Sequence, residues 1–145
     1  RQSARAVIPT IISQLYGGVK KLQLGALTPT RDFNYVADTV EGFLAAAASK
    51  QAVGQVLNVG SGREISIGDL VETLMTITGR RVPVATDKVR LRPGKSEVNR
   101  LLCDNSRVLA LTGWKPRVSL EEGLTRTCRW VRQNLKHFKP ASYSV

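Results

Sequence analysis

Residues 56–70, VLNVGSGREISIGDL, constrain the fold more than any other stretch of the chain. An apolar run from Val56 to Val59 leads into Gly60-Ser61-Gly62, and a helix signal comes next. Strand, tight turn and helix in that order belong to α/β folds. The same order opens dinucleotide-binding sites, whose fingerprint G-x-G-x-x-G/A uses one glycine for the turn, one for backbone approach to the pyrophosphate and one for close helix packing. Here the third position is Ile65, a branched side chain. The acidic residue expected ~20 residues further on is replaced by the helix-end sequence Thr78-Gly79-Arg80-Arg81. The stretch reads as strand, turn and helix start, without a dinucleotide.

The rest of the chain continues the α/β pattern, with helices outweighing short strands. Ile8, Ile11, Ile12 and Leu15 recur at helical spacing, with Pro9 tolerable in the first turn and Gly17-Gly18 as the stop. KKLQLG alternates like a short strand, and TPTRDFNYV reads as extended because Pro29 disfavours helix before it. Asp38 to Glu41 forms a capping-box pattern for a helix whose shared face holds Val40, Phe43, Leu44 and Ala47. Ser66 to Asp69 is a second capping box, followed by Ile67, Leu70, Val71 and Leu74, with Gly79 ending the helix. VPVAT suits a strand, and residues 88–100 a basic loop. Asp104 to Leu111 suits a short helix closed by Gly113. Ser119 caps the last helix, which buries Leu120, Leu124, Cys128, Val131 and Leu135. No internal repeat or low-complexity linker interrupts the 145 residues, a length that suits one domain with a flexible tail at 140–145.

Lysines and arginines number 22 against 11 acids, a net charge of +11. Such a surplus suits polyanions. The densest stretch, TRTCRWVRQNLKHFK, spaces Arg126, Arg129, Arg132 and Lys136 along the polar side of an amphipathic helix, which reads as a solvated face. No helix-turn-helix or aromatic stacking strand supports a nucleic-acid module, the reading left from a second functional class. No apolar stretch reaches the ~20 residues of a membrane helix, and no signal-peptide pattern opens the chain. Cys103 and Cys128 lack metal-ligand spacing and read as reduced, in a cytosolic protein. The chain opens Arg1-Gln2-Ser3, and its only methionine is Met75, so the sequence reads as a piece of something longer.

Catalytic candidates are few. His137 stands alone on a basic helix end. Tyr16-Gly17-Gly18-Val19-Lys20 spells Y-x-x-x-K, an acid/base pair that needs Tyr and Lys on one helical face, and the two glycines break that face. Phosphate-compatible groups remain at element ends: Arg31, Asn58, and Arg92 with Glu97 in the basic loop.

RQSARAVIPTIISQL, LGALTPTRDFNYVADTVEGF, VLNVGSG, ISIGDLVETL, RLRPGKSEVNRLLCDNSRVLALTGWKP and SLEEGLTRTCRWV occur in order. Together they resemble the C-terminal half of extended short-chain dehydrogenases/reductases acting on nucleotide sugars, over residues 1 to about 136. Within that group the chain is similar to NAD-dependent 4,6-dehydratases, notably those using nucleotide-linked N-acetylglucosamine. The resemblance implies that residues 1–139 are the substrate-binding part of a Rossmann-type enzyme whose dinucleotide-binding N-terminal half is absent. NAD or NADP then belongs to the intact parent, and this fragment binds none and carries no catalytic residue or metal. Position by position, Arg31 and Arg92 would hold the diphosphate of a nucleoside-diphosphate sugar, with Asn58 beside the phosphates or ribose. Glu97 would take ribose hydroxyls, and Val7 with the Leu22–Leu24 strand would flank the base. The implied reaction is oxidation at sugar C4, loss of water across C5–C6 and hydride return to C6. A 4-epimerase shares the first step and remains the alternative. The unpaired docking surface would also allow self-association.

Overall fold

The computed structural model describes residues 6–91 and 98–138. They form a mixed α/β fold of five helices and five short strands, and the chain divides into two compact units. The first unit comprises residues 1–28, 67–97 and 124–145, and the second residues 29–66 and 98–123.

Unit one holds α1 (Val7–Tyr16), β1 (Leu22–Leu24), α3 (Ile67–Thr78) and β4 (Val84–Thr86). It also holds the larger part of α5 (Leu120–Gln133), which the unit boundary cuts at Leu124. β1 and β4 pair in parallel, Leu22 opposite Val84 and Leu24 opposite Thr86. The free edge of β1 is closed by a side chain: the buried Gln14 amide accepts from the Gln23 N–H at 2.9 Å and donates to the Gln23 carbonyl at 3.2 Å. A two-stranded ladder thus leaves no orphaned backbone group at its centre. The helical periodicity read from sequence is realised, with Ile8, Ile11, Ile12 and Leu15 of α1 and Ile67, Leu70, Val71, Leu74 and Met75 of α3 all buried. Leu124, Cys128 and Val131 are buried from α5, while Leu120 and Leu135, at the two ends of its apolar stripe, are only half-buried. Gly79 ends α3 in the left-handed region at φ 68°, the conformation its position past the last apolar residue requires.

Unit two holds β2 (Thr30–Asp32), α2 (Val36–Ala48), β3 (Glu64–Ser66), β5 (Arg100–Leu101) and α4 (Ser106–Thr112). Its sheet runs β3-β2-β5, antiparallel on one side and parallel on the other. Here the structure departs from the sequence expectations in three ways. First, α2 begins at Val36 with Tyr35 as its N-cap, so Asp38 lies inside the helix. Its side chain is buried and accepts from the backbone N–H groups of Arg117 and Val118 at 3.1 and 3.0 Å. It ties down the loop ahead of α5 and caps nothing. Second, residues 56–59 form no strand, because no other described strand pairs with them to complete a ladder; Val56 is 80% exposed. Third, Val40, Phe43 and Leu44 do share a face, and that face is open: Phe43 is 64% and Leu44 65% exposed. The packed side of α2 instead carries Asp38 and Gly42, and a Cβ on Gly42 would stand 2.6 Å from Val59 Cγ1. Only a glycine lets the helix come that close.

Across one side of this sheet runs a polar ladder. Arg100 on β5 forks onto Glu64 on β3, with Nη2 2.7 Å and Nε 2.9 Å from Oε1, and Thr30 on β2 donates to Oε2 at 2.6 Å. The Arg100 hydrogen bonds hold the Glu64 carboxyl down at about 2. A depressed carboxyl pKa stabilises the fold above the unfolded value and loses that contribution as pH falls through the folded one. Carbon-detected NMR titration should therefore place the Glu64 midpoint near 2, and Arg100→Ala should raise it toward the ordinary glutamate value of about 4.3, short of it because the Thr30 hydrogen bond remains. Asp38→Ala, which strands two backbone donors in a buried site, should cost about 2–4 kcal/mol in denaturant unfolding.

Candidate functional site

The glycine turn raised by the sequence is the best-defined polar node in unit two. Asp32, the last residue of β2, aims its carboxylate into it. Oδ1 accepts from Ser61 N at 2.9 Å and from the Ser61 hydroxyl at 2.5 Å. Oδ2 accepts from Gly62 N at 2.8 Å and Cys103 N at 3.2 Å. A turn whose N–H groups already converge on a protein carboxylate has none left for a phosphate. The Ser61 and Gly62 N–H groups are thus spent on Asp32, a residue not singled out in sequence.

Three further contacts lock this node. A Cβ on Gly60 would stand 2.5 Å from Cys103 Cβ, so glycine at this position is a packing requirement. Asn105 donates from Nδ2 to Gly60 O at 3.0 Å, and Asn58 donates from Nδ2 to Asp104 O at 3.3 Å. Asp104 in turn accepts from Ser106 N at 3.0 Å at the head of α4, and its hydrogen bonds to Ser106 lower its carboxyl pKa. Segments 58–62 and 103–106 thus form one hydrogen-bonded block carrying Asn58 on its exposed side.

Arg31 stands one residue before Asp32 on the central strand, opposite Ile65 of β3 and Leu101 of β5. It is half-buried, and its Nη1 donates to Thr30 O at 2.7 Å. Arg31 and Asn58 are therefore both carried by unit two. Val7, Leu22 and Leu24 belong to unit one. Val7 is the half-buried first residue of α1; Leu22 and Leu24 are buried, and Gln23 between them carries the exposed side chain of β1. Arg92, Lys95 and Glu97 lie outside the described residues, as do the tail residues 139–145.

Other sequence candidates are structurally silent. Tyr16 ends α1 and Lys20 lies beyond the Gly17-Gly18 turn, so the Y-x-x-x-K spacing makes no pair. Burial, followed by the nearby Cys128, raises the Tyr16 phenol pKa, the opposite of what a proton-transferring tyrosine needs. Burial pushes the Cys128 thiol up to about 11 and also raises Cys103, so neither is a thiolate at neutral pH. Among the described residues no group of three or more potential ligands could hold a metal, and no helix is long and apolar enough to cross a membrane.

Asp32→Ala should release the turn without unfolding unit one. Hydrogen exchange would show it as lost protection at the Ser61, Gly62 and Cys103 amides, with Leu22 and Leu74 unchanged.

Comparison with known proteins agrees with the fold and the motif order. The family model for GDP-mannose 4,6 dehydratase matches residues 1–127. Mouse (Mus musculus) dTDP-D-glucose 4,6-dehydratase is 32% identical over 149 aligned residues, covering 99% of this chain and 41% of that protein. A UDP-glucuronate 4-epimerase from Thermodesulfobacterium geofontis is 32% identical over 114 residues, 77% of this chain and 33% of the other. Among solved structures, the UDP-glucuronic acid 4-epimerase from Bacillus cereus in complex with UDP-glucuronic acid and NAD superposes with a TM-score of 0.81 at 29% identity, covering 92% of this chain and 42% of that one. RMD from Pseudomonas aeruginosa, complexed with NADPH, gives 0.82 at 26% identity, with 92% and 44% covered. The chain thus spans about a third to two fifths of its relatives' length. With most of its residues matched, this chain belongs to the nucleotide-sugar dehydratase and epimerase family described by the GDP-mannose 4,6 dehydratase model.

Proposed function

We propose that this chain is the substrate-binding part of a nucleotide-sugar 4,6-dehydratase and holds the nucleoside diphosphate, while the dinucleotide and the reacting groups are supplied by a complementary half. The observation that carries this reading is the closure of the Gly60-Ser61-Gly62 turn by Asp32: the glycine-rich turn of the described residues is a structural node and offers no cradle for NAD. In this reading Arg31 and Arg92 bind the diphosphate as charged donors, Asn58 lies beside the phosphates or ribose, and Glu97 accepts from ribose hydroxyls. Val7 and β1 flank the base, with Leu22 and Leu24 supporting the strand from the core and Gln23 presenting its exposed side chain.

A complementary half also fits the apolar balance of unit two. Its buried large apolar side chains are Val108 and Trp114 alone among the described residues, whereas Val36, Val40, Phe43, Leu44, Val53 and Val56 are exposed. Burying one such side chain is worth about 1.5–3 kcal/mol. The open face of α2 and the unladdered strand-like segment 56–59 together offer what an α/β layer covers: an apolar helix face and a free sheet edge. The complementary half would then hold the cofactor and supply the redox chemistry for oxidation at C4, while this chain's own residues would hold the nucleoside diphosphate.

A 4-epimerase is the second reading, favoured by one specific observation: a dehydratase and an epimerase match this chain at the same 32% identity. The two share C4 oxidation and diverge in the fate of the oxidised sugar.

Calorimetric titration of the 145-residue chain tests the binding assignment. UDP should bind and NAD should give no heat of binding, and Arg31→Ala should weaken UDP by about 1.5–3 kcal/mol, roughly 10- to 150-fold in Kd. Stoichiometric NAD binding, or UDP affinity indifferent to Arg31, would overturn it.

A further inference from the structure

The net charge of the chain is confined to one of its units. By sequence, the segments of unit one carry 15 lysines and arginines against 4 acids, and those of unit two carry 7 against 7. The whole surplus of +11 therefore belongs to unit one, although both units have the same family origin and comparable size.

The structure gathers part of that surplus at one end of the unit. Arg132 of α5 lies over the Tyr16 ring, 5.8 Å from its centroid, at the C-terminus of α1. Two residues on, Gly18 faces the Arg80 guanidinium, whose Nη1 stands 3.9 Å from where a side chain at 18 would begin. Arg80 and Arg81 come after the C-terminus of α3, and Lys20 and Lys21 lead into β1. Arg129 and Lys136, at i−3 and i+4 from Arg132, extend the stripe along α5 and the short 3-10 turn after it. All are exposed. Arg81 pairs with Glu72, but among the described residues Lys20, Lys21, Arg80, Arg129, Arg132 and Lys136 have no carboxylate within ion-pair distance.

Two ordinary explanations account for too little of this. Cations at helix C-termini answer the macrodipole, which amounts to about half a negative charge per helix. Three helices, α1, α3 and α5, end here, so between one and two positive charges are balanced and several are not. Solvated helix faces are commonly charged, but with both signs interspersed. The patch is also remote from the proposed base contact: Val7 sits at the opposite end of α1, about 15 Å away along ten residues.

We infer that this face, built from Lys20, Lys21, Arg80, Arg129, Arg132 and Lys136, binds the phosphate backbone of a nucleic acid. Six exposed cations that lack a carboxylate partner suit a polyanion of many phosphates, whereas a nucleoside diphosphate would occupy only two of them. A lipid surface is disfavoured because the apolar stripe of α5, Leu124, Cys128 and Val131, is buried in the unit, which leaves Trp130 as the large apolar side chain that α5 exposes, too little to anchor an interfacial helix. The interaction is independent of sequence, since it rests on charge and offers no base-reading groups.

The test is fluorescence anisotropy with a labelled 20-base-pair duplex of arbitrary sequence, using the full chain at 50 to 200 mM salt. Five phosphate contacts give a log–log salt slope of about −4.5, a loss of roughly 500-fold across that range. The triple variant Lys20→Ser, Lys21→Ser, Arg80→Gln should flatten the slope by about 2–3 and weaken binding at 50 mM salt at least tenfold. A charge-matched triple in unit two, Lys50→Ser, Lys115→Ser, Arg107→Gln, should leave affinity within about twofold. All six positions are exposed, so circular dichroism should show both variants folded. Equal loss in the two triples would mean that net charge alone acts, and would overturn the assignment. Absence of saturable binding at 50 mM salt would also overturn it. So would binding to phosphatidylserine vesicles, lost in the first triple, at concentrations where the duplex does not bind.

Discussion

The second unit is organised around one carboxylate. Asp32 receives three backbone N–H groups and a hydroxyl, from residues 29 to 71 positions away in sequence. Each bond to a charged acceptor is worth about 1.5–3 kcal/mol against the exposed alternative. The larger effect is geometric, because the end of β2, the glycine turn and the approach to α4 are all fixed to one point. That point decides what the neighbouring groups can do. It removes the turn from phosphate chemistry, sets Asn58 on a rigid block, and holds the strand from which Arg31 projects. Asp38 repeats the device within the same unit, fixing the backbone at Arg117 and Val118. Unit two thus gains definition from a half-buried and a buried carboxylate, Asp32 and Asp38, where its apolar core is thin.

Local signals were legible in proportion to how local their causes are. The faces of α1 and α3, the stops at Gly79 and Gly113, and the Ser119 cap with its 3.1 Å bond to Glu122 N arise from spacing over a few residues. Asp32 and Asp38 were not legible, because their partners are distant and an acid near a helix start looks like a cap. The pattern Asp38 to Glu41 satisfies the capping-box rule, yet the helix begins two residues earlier and spends the aspartate on another loop. The run Val56 to Val59 has the composition of a buried strand, but a strand is a relation between segments, and none of the other described strands lies beside it. The motif order was legible only through resemblance, and it was the family comparison, not periodicity, that fixed the class.

The two units present opposite kinds of unsatisfied surface, and the difference bears on what each meets. Unit two is neutral by sequence and leaves the apolar face of α2 and the nearby Val53 and Val56 side chains exposed. Such a surface gains from permanent burial, with a driving force that scales with area and is insensitive to salt. Unit one already encloses the core of α1, α3 and α5, and it exposes Lys20, Lys21, Arg80, Arg129, Arg132 and Lys136 with no carboxylate among the described residues within ion-pair distance. Attraction at such a face falls steeply with ionic strength and is readily reversed. In the two readings proposed above, a lasting apolar partner and a reversible polyanionic one need different chemistry, and the surfaces divide accordingly: the unit with the thin core exposes most of the large apolar side chains, and the unit with the fuller core carries the charge surplus.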